Sequence, residues 1–116
     1  MVEEIASEVL PKTEWRWSEK MLRLRRVVLD VDKPIKEPSM FALADALDEV
    51  EGVAAINMTV NEIDIDVMEL MVVIEGDGFD FAGVEKAIYD AGAVLHSVDQ
   101  IVSGSRLVEM TDTPMS

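Results

Sequence analysis

Apolar and polar residues alternate along much of the chain, and the alternation predicts four strands. Residues 22–32 are rich in leucine and valine with charged residues on the opposite parity, which is typical of a half-buried strand. Residues 53–66 predict a second strand, whose apolar parity changes near Glu62 and so indicates a β-bulge. The apolar run at 70–74 predicts a central strand covered on both faces, and the stretch 92–104 predicts the last strand.

Two further stretches carry apolar residues at spacings of three and four, which predicts amphipathic helices. Gly52 is predicted to end the first helix, while Asp80 is predicted to cap the second and Gly92 to end it. The predicted buried stripes are Met40, Leu43, Ala44, Leu47 and Val50 in the first helix, and Phe81, Val84, Ile88 and Ala91 in the second.

The order strand, helix, strand, strand, helix, strand predicts an α+β, ferredoxin-like βαββαβ sandwich. Right-handed crossovers give an antiparallel sheet of order 4-1-3-2 with two helices on one face. In this topology the ends of strands one and two lie at the same edge as the start of strand four. The polar residues expected to gather there are Asp30, Asp32, Glu62, Asp64 and His96.

The chain divides into one predicted domain and two terminal segments. Residues 1–20 form an N-terminal extension, predicted to be flexible, residues 21–108 form the ferredoxin-like domain, and residues 109–116 are predicted to be a disordered tail. The alternative prediction is that part of this extension forms a strand. Trp15 and Trp17 would then share one face and dock on the domain or on a neighbouring subunit.

Charge is distributed unevenly along the chain. The net charge is −14, yet residues 1–26 carry +1 and residues 27–116 carry −15. Such an acidic domain argues against nucleic-acid binding and suits cations, a basic partner or a high-salt habitat. The chain has no cysteine, no leader pattern, and no apolar run near the roughly 20 residues that span a bilayer, so we expect a cytoplasmic protein that does not contact membranes.

The acidic strand ends predict a divalent-cation site, for calcium or magnesium. Acids two apart on a strand project to one side, and both ions prefer oxygen ligands. The predicted ligands are Asp30, Asp32, Glu62, Asp64 and His96; the alternative is that these acids are simply solvated. The chain contains no calcium loop motif that would make the site predictable from sequence.

His96 is the single histidine, and with Ser97 and Asp99 it forms a second candidate ligand-binding group. Ser97 and Asp99 have the opposite strand parity from His96, which disfavours a catalytic triad and leaves no predicted catalytic residue. A structural histidine that bonds a carboxylate such as Asp30 is preferred. The alternative function is a small enzyme in which His96 and a nearby carboxylate act as acid and base.

Three segments resemble one known family. Val-Leu-Asp-Val-Asp-Lys-Pro at 28–34, Asn-Glu-Ile-Asp at 61–64 and Leu-His-Ser-Val-Asp-Gln-Ile-Val-Ser-Gly at 95–104 are similar to the archaeal domain of unknown function 211. The chain departs from the family pattern at Gln100, where an acid is usual, at Ala93, where a glycine is usual, and at Ile65, where a lysine is usual. These departures weaken the transfer of a shared charged site.

The resemblance implies a ferredoxin-like protomer that assembles into larger symmetric rings. The function expected from the sequence is therefore that of a self-assembling, homo-oligomeric and non-enzymatic protein. It is expected to bind a divalent cation or a small metabolite at acidic strand ends or at subunit interfaces.

Overall fold

The computed structural model describes residues 22–109. The extension predicted at 1–20 lies outside the described residues, as does all but Glu109 of the tail predicted at 109–116. The elements are β1 (Leu24–Pro34), α1 (Met40–Asp48), β2 (Val53–Ile63), β3 (Val67–Phe79), α2 (Phe81–Ala91) and β4 (Val94–Ser103). Over these residues, neither helix has the length and apolarity needed to cross a membrane.

The four strands form one sheet in the order β2-β3-β1-β4, and every neighbouring pair is antiparallel. This is the predicted order read from the other edge, so the ferredoxin-like α+β prediction is confirmed. The central strands β1 and β3 each have two neighbours, whereas β2 and β4 each keep one unpaired edge. The ends of β1 and β2 and the starts of β3 and β4 consequently lie at one end of the sheet.

A single apolar core joins both helices to one face of the sheet. Alternate residues of the central strands are fully buried, as the period of a strand requires when only one face is covered. The core members include Leu29, Val31, Leu70, Val72 and Ile74 from the sheet and Leu43, Leu47, Val84 and Ile88 from the helices. The residues between them on each strand face away from the helices and form the open face of the sheet.

The open face corrects one prediction. The run at 70–74 was predicted to be covered on both faces, and β3 is indeed central, but Met71 is 37% exposed and Val73 is only half-buried. A run of five apolar residues is typical of a strand that is covered on both faces. Here the helices cover one face only, and the same run leaves its other side chains on the open face. The strand also extends beyond the predicted run, through Gly76 and Gly78 to Phe79.

The boundary of β1 differs from its prediction because of Lys33. The strand runs to Pro34, two residues beyond the predicted end, and Lys33 is only 1% exposed. Its Nζ donates hydrogen bonds to the carbonyl oxygens of Pro34 at 2.7 Å and Ile35 at 3.2 Å. A buried ammonium group needs such acceptors, and here they secure the start of the loop that leads to α1.

The turns and caps follow local chemistry. Asp80 accepts a hydrogen bond from the Ala82 amide at 3.1 Å, and Gly92 ends α2 with φ of 101°, as predicted. The first helix instead ends at Asp48, before the predicted Gly52, which serves the turn into β2 with φ of 93°. The predicted bulge is confirmed, because the β2–β3 register shifts between Val60 and Glu62.

Candidate metal centre

Two aspartates of β1 lie on the open face at one end of the sheet. Leu29 and Val31 are fully buried against the helices, so Asp30 and Asp32, which alternate with them, face the other side. Both aspartates are half-buried. The β1 alternation therefore places two carboxylates next to each other on a surface that neither helix covers.

The neighbouring strand β3 adds a third carboxylate. Asp32 is directly opposite Glu69, and Asp30 is opposite Met71, in the antiparallel register. Carboxylate oxygens of Asp30, Asp32 and Glu69 all lie within 4.8 Å of one another. Within residues 22–109 no lysine or arginine pairs with any of the three. We call these residues the acidic cluster.

The β2 residues of the predicted ligand set border the acidic cluster. Glu62 is opposite Glu69 in the β2–β3 register. Asp64 lies in the turn that follows, where its Oδ1 accepts a hydrogen bond from the Ile65 amide at 2.8 Å. A groove of about 310 Å³ is lined by Asp32, Glu62, Asp64, Val67 and Glu69. Glu62 thus extends the negative surface, while one oxygen of Asp64 serves the turn.

His96 approaches the acidic cluster from β4. The register between β1 and β4 moves from Asp30 opposite Ser97 to Val31 opposite Leu95, so His96 is the extra residue of a bulge. Its Nδ1 lies 3.8 Å from Oδ2 of Asp32, beyond hydrogen-bond distance, and its side chain is mostly exposed. The carboxylate beside His96 is therefore Asp32, in place of the Asp30 suggested by the sequence.

The other two members of the His96 group are turned toward each other. The hydroxyl of Ser97 donates a hydrogen bond to Oδ1 of Asp99 at 2.8 Å. Ser97 lies opposite Asp30 in the β1–β4 register. Asp99 has no opposite residue, because the register shifts a second time between Val28 and Leu29, and its side chain is exposed. His96 and Ser97 thus have separate partners, in agreement with the parity argument against a triad.

The electrostatics of the acidic cluster reflect the crowding of like charges. The negative charge of Asp30, followed by burial, raises the pKa of the Glu69 carboxyl above its ordinary value, and the charges of Glu62 and Asp32 act in the same direction. Oδ1 of Asp30 is out of contact with solvent and has no hydrogen-bond donor among the described residues. The cluster therefore combines repulsion with an acceptor oxygen that lacks a partner.

Glu69 is the member that the sequence argument missed. The third strand predicted from the sequence begins at residue 70, so Glu69 falls outside it. The β2–β3 hairpin could have indicated its position. If β3 starts before residue 70, Glu69 lies opposite Glu62 and therefore between the acids of β1 and those of β2. The arrangement supplies several hard oxygen atoms to one small volume, which is the donor set that calcium and magnesium select.

The fold and the cluster define a class: a small ferredoxin-like α+β protein with a carboxylate-lined end of its sheet. The sequence profile of domain of unknown function 211, an uncharacterized ArCR family, matches residues 25–116. The chain is also 36% identical over 91 residues to the uncharacterized protein MJ0319 of Methanocaldococcus jannaschii, covering 78% of this chain and 93% of that protein. The protein belongs to the domain of unknown function 211 family.

Proposed function

We propose that this protein is a non-enzymatic, self-assembling protein that binds a divalent cation through Asp30, Asp32 and Glu69. The observation that carries the proposal is the mutual approach of three carboxylates within 4.8 Å without a lysine or arginine partner among residues 22–109. Like charges at this distance oppose folding unless a counterion offsets them. A bound cation converts that repulsion into attraction.

The size of the cluster accommodates a calcium ion. Calcium–oxygen distances are about 2.3–2.6 Å, so two ligands on opposite sides of the ion lie roughly 4.8 Å apart. Magnesium–oxygen distances of about 2.0–2.1 Å reduce that span to roughly 4.1 Å. The separations in the cluster lie within the span of a calcium ion before any side chain moves. Glu62 and His96 border the same volume and are the candidates for completing the coordination.

Titration calorimetry on metal-free protein tests the cation proposal. We expect calcium chloride to bind with release or uptake of heat in the wild type and to give no saturable signal with Asp30→Asn. Asp45→Asn, which changes an exposed aspartate of α1, is the matched control and should bind like the wild type. Equal binding by Asp30→Asn, or no binding of calcium or magnesium by the wild type, contradicts the proposal.

The same proposal includes the binding of a small metabolite, for which Ser97 and Asp99 beside the acidic cluster are the candidate residues. Ser97 and Asp99 are hydrogen-bonded to each other near the cluster, and they offer a hydroxyl and a carboxylate for a polar ligand. Repeating the titration with small metabolites in the presence and absence of calcium tests this arm. Binding that survives Asp30→Asn but not Asp99→Asn would assign the metabolite to the Ser97 group rather than to a bound cation.

Self-assembly is supported by apolar side chains at the same end of the sheet. The turn between β2 and β3 exposes Ile63, Ile65 and Val67, with Ile65 at 86%, and Phe41 in the first turn of α1 is 90% exposed. The loop before α1 contacts this turn, because the Ile35 amide donates to the Asp66 carbonyl at 3.2 Å. Exposed apolar groups near one another mark interaction surfaces.

The oligomeric state tests self-assembly directly. Light scattering should give a mass well above the 12.9 kDa of one chain, and Ile63→Lys should lower it. Tyr89→Lys, which changes an exposed side chain on α2, is the control and should leave the mass unchanged. A monomer at every salt concentration would contradict self-assembly.

The second candidate function is a small enzyme in which His96 and Asp32 act as acid and base. The observation that favours it is the 3.8 Å separation of His96 Nδ1 and Asp32 Oδ2 beside a groove. His96→Ala discriminates the two candidates: it abolishes turnover in the enzyme, whereas a cation site built on three carboxylates keeps most of its affinity. Retention of calcium binding by His96→Ala supports the first proposal.

A further inference from the structure

A second groove lies at the opposite end of β4, far from the acidic cluster. Its volume is about 530 Å³. Its walls are the end of β4 and the segment that follows, and the lining residues are Gln100, Ile101, Val102, Ser103, Val108 and Glu109. Ile101 and Val108 are well exposed, with Val108 at 60%. The groove is therefore an open apolar channel on an edge strand.

A residue that lines the groove has a polar side-chain atom without a partner. Oε1 of Gln100 is out of contact with solvent and accepts no hydrogen bond from the described residues. An acceptor that has neither water nor a protein donor destabilises the folded state. Glu109, at the other side of the groove, is already held by Arg26 at 2.7 Å, which lowers the pKa of its carboxyl. Oε1 of Gln100 is thus the acceptor of a groove-lining residue that lacks a donor.

The chain enters the described domain beside this groove. Leu24 is opposite the groove residue Ser103 in the β1–β4 register, and the Gly104 amide donates to the Arg23 carbonyl at 2.8 Å. Leu22 lies five positions after Trp17 in the sequence, so the connection spans up to about 17 Å. The β4 part of the groove is only about 10 Å long, because a strand rises about 3.3 Å per residue. Both Trp15 and Trp17 can reach it.

The chemistry of tryptophan matches the groove. An indole ring presents a large apolar surface and one N–H group that donates but does not accept. If the segment is extended, side chains two residues apart, such as those of Trp15 and Trp17, project to the same side roughly 7 Å apart. We propose that Trp15 and Trp17 of the same chain fill this groove and that one indole N–H donates to Gln100. The proposal stands independently of the cation site and of self-assembly.

Tryptophan fluorescence tests the proposal cleanly, because Trp15 and Trp17 are the two tryptophans of the chain. In the full chain we expect emission at shorter wavelength than in denaturant and several-fold weaker quenching by acrylamide. Val108→Lys should move both values toward those of the unfolded chain while circular dichroism stays native. Tyr89→Lys is the matched control and should leave both unchanged.

Nuclear magnetic resonance tests the hydrogen bond itself. One of the two indole N–H signals should exchange slowly with solvent in the wild type, and Gln100→Leu should restore fast exchange. Emission in the native protein equal to that in denaturant overturns the proposal. Emission that shifts to longer wavelength on dilution also overturns it, because a second copy then covers the rings. Burial that is lost on removal of residues 110–116 overturns it in favour of packing against the C-terminal segment.

Discussion

Replacing Asp30 with asparagine should stabilise the metal-free protein. The side chain keeps its size and loses one of the three charges of the acidic cluster. At 4.8 Å, within which the cluster oxygens all lie, two unit charges repel by about 0.9 kcal/mol in water and about 3.5 kcal/mol at an effective dielectric constant of 20. The Asp32 side chain is 37% exposed, so solvent screening favours the lower figure. We therefore expect a gain of about 1 kcal/mol from relief of the repulsion between Asp30 and Asp32.

Thermal unfolding measured by circular dichroism is the assay for this gain. A gain of about 1 kcal/mol raises the Tm of a domain of this size by roughly 4–8 °C, provided that a chelator removes all metal. Calcium should reverse the order of stability. At about 100 times its Kd, a ligand stabilises the wild type by roughly 2.7 kcal/mol, and the variant should gain little.

The control for this experiment is Asp45→Asn, which removes an exposed charge from α1 outside the cluster. It should change the Tm little in chelator and should leave the response to calcium intact. A fall in the Tm of Asp30→Asn in chelator would refute the reasoning, because it would mean that the Asp30 charge has a stabilising partner. A calcium response equal to that of the wild type would remove Asp30 from the site.

Three other perturbations follow from the structure. Glu69→Gln should raise stability at pH 7, and the gain should shrink as the pH falls from the raised pKa of Glu69 toward the ordinary carboxyl pKa. The raised pKa of Glu69 means that the folded state binds the proton more tightly than the unfolded state, so the stability of the wild type falls as the pH rises from the ordinary pKa to the raised one. An equal gain at pH 7 and at acid pH, measured by urea unfolding, would contradict this dependence. Leu47→Ala should cost about 2–5 kcal/mol in urea unfolding, because Leu47 is fully buried between helix and sheet; a cost below that range would mean that the core closes around the gap. Gly92→Ala should lower the Tm, since φ of 101° strains any other residue and the new methyl group meets Pro38 at 3.4 Å; an unchanged Tm would contradict the strain argument.

The sequence was sufficient for the fold because each element carries its own periodic pattern. The parity change near Glu62 even predicted the bulge that the β2–β3 register contains. Lys33 lies just outside the predicted strand because a lysine before proline is typical of a loop, whereas backbone carbonyls can bury its ammonium group at the end of a strand. The open side of β3 was also missed, because five apolar residues in a row do not reveal which face lacks a covering layer.

The candidate site depends on register, which the sequence fixes only indirectly. Topology alone was enough to predict that the acids of β1 and β2 meet at one end of the sheet. The approach of Glu69 to Asp32 required the start of β3, and the pairing of His96 with Asp32 required the bulge in β4. The groove at the other end follows from the segment after β4, whose irregular pattern predicts no structure.

The most direct measurement of the central claim is the calcium content of the protein after equilibrium dialysis. Metal-free wild type dialysed against calcium chloride should retain calcium in a fixed ratio to the chain, and Asp45→Asn should retain the same amount. Asp30→Asn and Glu69→Gln should retain far less at the same free calcium concentration. Equal calcium content in the wild type and both cluster variants, or none in the wild type, would contradict the account.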